Sequence, residues 1–313
     1  MRDELSVQTA TLAPPVSAGE LAPEEPPVWR AAWESLTRNK VAFTGALILL
    51  FMALVAIFPQ YFVLHSPYEQ NPALGAKPPL FVDRETGYLF ILGTDAIGRD
   101  LLSRIVYGSR VSLTVGLTTV LISGTIGVLI GLVSGYCGGW VDNVLMRIVD
   151  IFLAFPFVLL ALALVAILKP SLFIVIVAIS VRIWVPYARL VRGSALAVKE
   201  MEFVTGAKAA GLSTPAIMFK YILPNVLAPA VVVATLSVGR MIIIEASLSF
   251  LGLGVPPPNP TWGGMLADGR NYIDTAWWIC VFPGLAIMLT VLSTNLLGDW
   301  FRDFIDPRLK GVD

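Results

Sequence analysis

The chain has 313 residues, 56% of them hydrophobic and only 14% charged, with a mean hydropathy of +0.77. That composition is too apolar for a water-soluble domain and implies an integral membrane protein with the lipid bilayer as its solvent. Lys plus Arg equals Asp plus Glu at 22 each, so the formal charge is zero and no nucleic acid or other polyanion is expected as a partner.

Residues 1–27 are rich in Pro, Ala and Glu and lack a basic start followed by an apolar core, so they form neither signal peptide nor span. A disordered cytoplasmic tail is expected there. Trp29, Trp33 and Leu36 then recur at helical spacing beside Arg30, Arg38 and Lys40. This fits either a short helix in the headgroup region or a plain extension of the first span. The uncharged run from Val41 to Leu64 supplies that span. His65, the only histidine, opens an outer loop reaching Phe90 and has no Cys or His partner, so no metal site is supported.

The second span is predicted over Val111 to Val141. Within it Gly127, Gly131 and Gly135 recur four apart, with Ser123 and Gly124 upstream, a pattern that lets a neighbouring helix approach closely. Asp150 follows Arg147 by three residues and is expected to pair with it along one helix. Two further runs, Ile151 to Leu168 and Ser171 to about Leu190, complete the middle of the chain, the latter interrupted by Arg182 and Arg189.

Between the fourth and fifth spans lies EFVTGAKAAGLSTPAIMFKYILPN, from Glu202 to Asn225. It predicts two short helices with a turn. Met201 to Ala210 has helical composition, and Gly211 suits a left-handed closing residue. Ser213 or Thr214 can cap a second helix with Pro215 at its first position, running to Leu223, with Pro224 marking a kink or entry point. Such a hairpin presents small residues, Gly206, Ala207, Ala209 and Ala210, beside the larger Phe203 and Leu212, a surface suited to close contact.

Tyr221 to Gly239 and Thr275 to Gly298 bring the count to six spans, each near the ~20 residues a crossing requires, and the fold class to all-α. Arg182, Arg240 and Glu245 fall deep in apolar sequence, where an ionised group costs about 2.5–3.5 kcal/mol on insertion scales. They should face protein or water, either lining a pathway or bracing helices. Arg240 and Glu245 are roughly 140° apart around a helix, so a direct pair between them is not expected.

Lys and Arg placement favours an inside location for both termini. Arg2, Arg30, Arg38, Lys40, Arg147, Arg189, Arg192, Lys199, Lys208, Lys220, Arg302, Arg308 and Lys310 then fall inside, against the smaller outside set of Lys77, Arg84, Arg99, Arg104, Arg110, Lys169 and Arg270. The hairpin is therefore expected to be cytoplasmic. Cys137 and Cys280 fall near opposite ends of their spans, and two free thiols are expected. No phosphate-binding loop or Gly-Lys pair occurs, so the chain is not expected to hydrolyse nucleotide, and a lone histidine supports no Ser/His/Asp chemistry.

The hairpin resembles the EAA loop of the permease subunits of ATP-binding-cassette importers. Thr205, Gly206 and Ala207 stand at the triplet, Gly211 at the glycine, and Leu223 and Pro224 at the closing apolar-Leu-Pro end. Only part of the triplet is retained, and Tyr221 replaces an aliphatic residue. LGTDAIGRDLLSRIVYGSRVSL (92–113), GYCGGWVDNVLMRIVD (135–150), EASLSFLGLGVPPPNPTWG (245–263) and NLLGDWFRDFIDPR (295–308) are also similar to that family, in its dipeptide/oligopeptide/nickel branch and of the C type. The resemblance covers Trp29 to Arg308.

It implies a type I importer permease fold with an interfacial helix, first span and large external loop over 28–109. A transmembrane domain would follow over 110–299, with a coupling loop at 201–225 and a cytoplasmic tail over 300–313. Phe203, Thr205, Gly206, Ala207, Ala210, Gly211, Leu212, Leu223 and Pro224 would form the ATPase-coupling surface. Implied partners are a second homologous permease, two ATPase subunits that carry ATP and Mg, and an extracytoplasmic substrate-binding protein. No cofactor would be bound by this chain itself, and its place would be the cytoplasmic membrane of a bacterium or archaeon. Peptides are the expected cargo, with nickel or another small solute as an alternative within the class. An ATP-independent transporter or a membrane scaffold is the alternative outside it.

Overall fold

In the computed structural model, which describes residues 27–305, the first helical stretch is broken at Asn39. Asn39 leaves helical geometry and its side chain accepts from the Ala42 amide, capping α2 (Lys40–Ile57) and separating it from α1 (Val28–Arg38). The interfacial segment is thus a helix of its own rather than an extension, with none of its residues buried. The expected tail over 1–27 lies, apart from Pro27, outside the described residues, as does the chain after 305.

The first span ends at Ile57, short of the expected Leu64, because Pro59 cannot continue the ladder and opens a 3₁₀ turn. Residues 58–100 instead build a small lobe. It contains an antiparallel ribbon of β1 (Phe81–Val82) and β2 (Leu89–Phe90), with Phe81 opposite Phe90. Thr94 ties the lobe together: its hydroxyl donates to the Leu74 carbonyl at 2.6 Å, and its own carbonyl accepts the Trp278 indole N–H at 3.1 Å.

α3 (Leu101–Cys137) starts ten residues earlier than its uncharged stretch suggests, because its two early arginines each find an acceptor. Arg104 reaches Asp95 at 2.7 Å, and Arg110 donates to the terminal carbonyls of α2 at Ala56 and Ile57, both at 2.9 Å. A cation at a helix C-terminus is favourable on both hydrogen-bond and dipole grounds. α3 ends at Cys137, where Gly138 and Gly139 both take positive φ.

α4 (Gly139–Ala154) and α5 (Phe157–Leu168) meet at an 87° bend beside Pro156, then α6 (Leu172–Val198) follows. α3 and α6 run parallel. A Cβ on Gly131 would stand 2.5 Å from the Ala188 carbonyl and one on Gly135 2.7 Å from the Ala195 Cβ, so contacts advance together along both helices. The chain between two parallel helices must return to its starting end. The bent pair therefore counts as one crossing, and with the five long apolar helices among the described residues it completes six. The glycine stripe does the packing expected of it.

After α6 come α7 (Glu202–Ala209), α8 (Thr214–Ile217) and α9 (Leu223–Phe250), which packs antiparallel to α3 with Ser112 opposite Glu245. α10 (Trp262–Gly269) buries Trp262 completely, its indole N–H donating to the Ile105 carbonyl at 3.0 Å. α11 (Trp278–Ile305) closes the described chain, continuing as helix through 300–305 where a tail was expected. α6 is the central helix and α2 the peripheral one: 61% of the most apolar window of α6 is buried against 17% for α2. Cys137 and Cys280 are both free.

Candidate functional site

The hairpin is built as its sequence asks, up to Ile217. Gly211 adopts φ +78°, its amide donates to the Lys208 carbonyl, and the Leu212 amide reaches back to the Ala207 carbonyl at 3.2 Å. Those two bonds form a Schellman closure, and only a residue tolerant of left-handed geometry closes it without strain. Ser213 takes the N-cap position of α8 with Pro215 in the first turn, although its hydroxyl makes no capping bond.

Beyond Ile217 the structure departs from the expected short second helix. Met218–Ile222 forms a π turn in which the Leu223 amide donates to the Met218 carbonyl, and the chain continues without interruption into α9. Pro224 lacks an N–H and stands in the first turn of α9, so of the two expected roles it takes the entry point, with the wider turn just before it. Asn225 supplies a side-chain donor to the Tyr221 carbonyl at 2.7 Å. The second arm of the hairpin and the fifth span are therefore one rod of 37 residues, roughly 55 Å at 1.5 Å per residue.

One face of the hairpin is buried and one is open. Val204, Ala207, Ile217, Met218 and Ile222 pack with Leu132 of α3 and with Val191, Ala195 and Val198 of α6. Ala207 is only 6% exposed, so it belongs to the inward face rather than to the presented one: it stands one turn from Val204 on the same side of α7. Phe203 is 42% exposed, and Thr205, Gly206, Ala210, Gly211 and Pro224 are also open. Leu212 and Leu223 are half-buried. Among the described residues, and apart from the adjoining chain, no atom lies within 4 Å of where a Cβ on Gly206 or Gly211 would stand.

The three deep charged residues are not brought together. Glu245 is fully buried, accepting from Ser249 at 2.7 Å and Ser112 at 3.3 Å, and the Ser112 hydroxyl in turn accepts the Trp262 amide at 3.4 Å. This network ties α9 to α3 and α10. Arg240 lies exposed on another face of α9, without a hydrogen bond or ion pair among the described residues. Arg182 is half-buried with its Nε unpartnered. It heads an exposed stripe on α6 formed by Pro186, Arg189, Gly193 and Ala197, above which Val175, Ala178 and Ile179 are buried.

Asp150 does not pair with Arg147. It accepts from Arg189 of α6 at 2.8 Å, while Asp142 takes both an Nε and an NH2 bond from Arg192 at 2.6 Å. The bend beside Pro156 lays α4 along α6, and the interhelical partners win over the neighbour three residues away. Among the described residues no cluster of His, Cys, Asp and Glu suited to a metal is found.

Comparison with known proteins agrees with this architecture. A family model described as the binding-protein-dependent transport system inner membrane component matches residues 127–311, and one for the N-terminal TM domain of oligopeptide transport permease C matches 28–79. The chain is 43% identical over 280 residues to a di/tripeptide transport system permease protein of Pseudomonas aeruginosa, covering 90% of this chain and 92% of that one. It is 45% identical over 283 residues to a dipeptide transport system permease protein of Alkalihalophilus pseudofirmus, covering 90% of each. A solved methionine ABC transporter in an inward-facing conformation superposes with a TM-score of 0.52 at 20% identity, over 64% of this chain and 96% of that one, a likeness of fold. The family model spans more than half of the sequence, and the chain belongs to the binding-protein-dependent transport system inner membrane components.

Proposed function

We propose that this chain forms half of the translocation pathway of an ATP-driven importer of short peptides. It is a multi-pass, non-catalytic permease subunit of that importer class, which works with ATPase and binding-protein partners. The observation that carries the peptide reading is identity above 40% to di- and tripeptide permeases along 90% of the chain. A relative named for glutathione transport in Pectobacterium atrosepticum, 40% identical over 282 residues, extends the cargo range to a modified peptide.

The finer assembly belongs to the same proposal: a second homologous permease, two ATPases that carry ATP and Mg, and an extracytoplasmic binding protein. The hairpin and both termini face the cytoplasm, and the lobe of 58–100 faces outward, as the Lys and Arg bias favours. Phe203, Thr205, Gly206, Ala210, Gly211 and Leu212 then meet the ATPase, with Ala207 and Leu223 shaping the hairpin from within and Pro224 open at its junction with α9. ATPase closure displaces the hairpin, and because α8, the π turn and α9 are continuous, displacement at the ATPase becomes rocking of the fifth span. Coupling requires that the ATP-bound state favour one helix arrangement over the other. Arg182, at the head of the open stripe on α6, lies on the pathway side, while Glu245 braces helices.

The test is reconstitution of the chain with its partner permease, ATPases and binding protein in proteoliposomes, followed by uptake of radiolabelled dialanine. Vanadate-sensitive uptake is expected. Uptake that ignores ATP, or none from an ATP-hydrolysing complex, would overturn the assignment.

A further inference from the structure

A cavity of about 280 Å³ opens at the end of the bundle that holds the lobe, between the start of α3, the 251–261 loop and α10. The ionisable groups lining it are Arg99, Arg104 and Asp268. Asp95 holds both arginines from behind, at 2.5 Å and 2.7 Å, and does not itself line the space. The cavity therefore presents two guanidiniums against one carboxylate.

That carboxylate is loosely engaged. Asp268 reaches Arg99 at 3.4 Å and Arg104 at 3.5 Å, long for charge-assisted hydrogen bonds, and its side chain is half-exposed. Burial raises the Asp268 carboxyl above its ordinary value, partly offset by the Arg99 charge. Arg104 is 5% exposed, and its Nε has no partner among the described residues. A buried guanidinium with an unused donor beside a weakly held acid is an incomplete site. Ser249, Asn259 and Thr261 add neutral polar groups, and Pro256, Pro257 and Pro258 add an apolar wall.

We propose that this cavity binds the zwitterionic backbone of a di- or tripeptide on its outer approach, an inference that rests on the peptide reading above. The peptide carboxylate displaces Asp268 and takes the fork of Arg99 and Arg104, which matches carboxylate geometry. The freed Asp268 accepts the peptide ammonium, since the termini of an extended dipeptide are separated by roughly 5–7 Å at ~3.5 Å per residue. The volume, near the lower edge of about 300 Å³ for ligand sites, favours two or three residues over longer chains. Ser249 lines the cavity and also donates to Glu245, so an occupant touches the network that joins α9 to α3.

The experiment uses the full complex with its binding protein in proteoliposomes and alanyl-photoleucine, a dipeptide that crosslinks on illumination. Uptake of the same compound is measured on the same preparation. The expected result is crosslinking within residues 249–268, displaced at least tenfold better by dialanine than by its C-terminal amide or its N-acetyl derivative. Filling the wall by Ala267→Phe should abolish crosslinking. In Asp268→Asn, which removes a half-exposed group, N-acetyl-dialanine should displace the probe as well as dialanine does. Uptake by wild type without crosslinking there, or crosslinking indifferent to the terminal charges, overturns the site while leaving the peptide reading intact. Absence of uptake by a wild-type complex that hydrolyses ATP overturns the peptide reading itself.

Discussion

Around Gly206 and Gly211 of the hairpin, no atom of the described residues outside the adjoining chain approaches within 4 Å of an added Cβ. At the other end of the bundle a Cβ on Gly93 would meet the Lys77 carbonyl at 2.5 Å, and one on Gly263 would press into the backbone of Ala246. The first pair leaves room for something outside the chain, and the second lets the chain close on itself. Charge follows the same division. At the hairpin Lys208 stands exposed over the Tyr136 ring, whereas in the lobe Asp95 is buried and holds Arg99 and Arg104. A surface meant to be touched is small, open and backed by apolar packing; an anchor is tight, charged and enclosed.

The comparison breaks most sharply at Gly211. Gly211→Pro cannot adopt φ +78° and removes the amide that closes α7, so uptake should fall by more than tenfold while membrane insertion stays normal. Retained uptake in correctly inserted protein would remove the hairpin from the coupling path. At the opposite end Asp95→Ala leaves two arginines, one of them buried, with only the loosely engaged Asp268 as counter-charge, and should cost about 3–5 kcal/mol, visible as a large fall in the thermal midpoint of the detergent-solubilised complex. If that variant unfolded like wild type, the lobe would not be the anchor.

Gly131→Val sharpens the contrast between open and closed glycines. Its side chain would collide with the Ala188 carbonyl and the Val191 Cβ, an overpacking worth about 1–3 kcal/mol on the same thermal assay. Gly206→Ala, in open space on the hairpin, should leave the midpoint unchanged and act only through partner affinity. Smallest of all, Asp150→Asn loosens a half-exposed pair with Arg189 and should shift stability by no more than about 1 kcal/mol. A larger fall would mean that the bend at Pro156 depends on that pair.

Much of the fold was legible because lipid leaves a chain few options, and apolar runs mark where it crosses. The stripe of Gly127, Gly131 and Gly135 and the turn at Gly211 were legible for a related reason: glycine at fixed spacing has few other uses. Charge misled the boundaries. Arg104 and Arg110 read as the edge of a span, yet both sit inside α3 because Asp95 and the α2 carbonyls receive them. The partner of Asp150 was hidden because nothing local announces how far α4 bends. Within the hairpin, composition could name its small residues but not their direction, so Ala207 was assigned to the open face until packing placed it beneath.

The π turn at Met218–Ile222 has a consequence for aim. A turn closed five residues apart holds one residue more than an α turn at nearly the same total rotation, so the wider turn absorbs the added residue. The compass bearing of the hairpin around the long rod is thus kept although the chain carries that residue. Removing a single residue there should return the turn to α geometry with the open face of α7 aimed much as before, so a lineage could lose or gain it without rebuilding the span this lever drives.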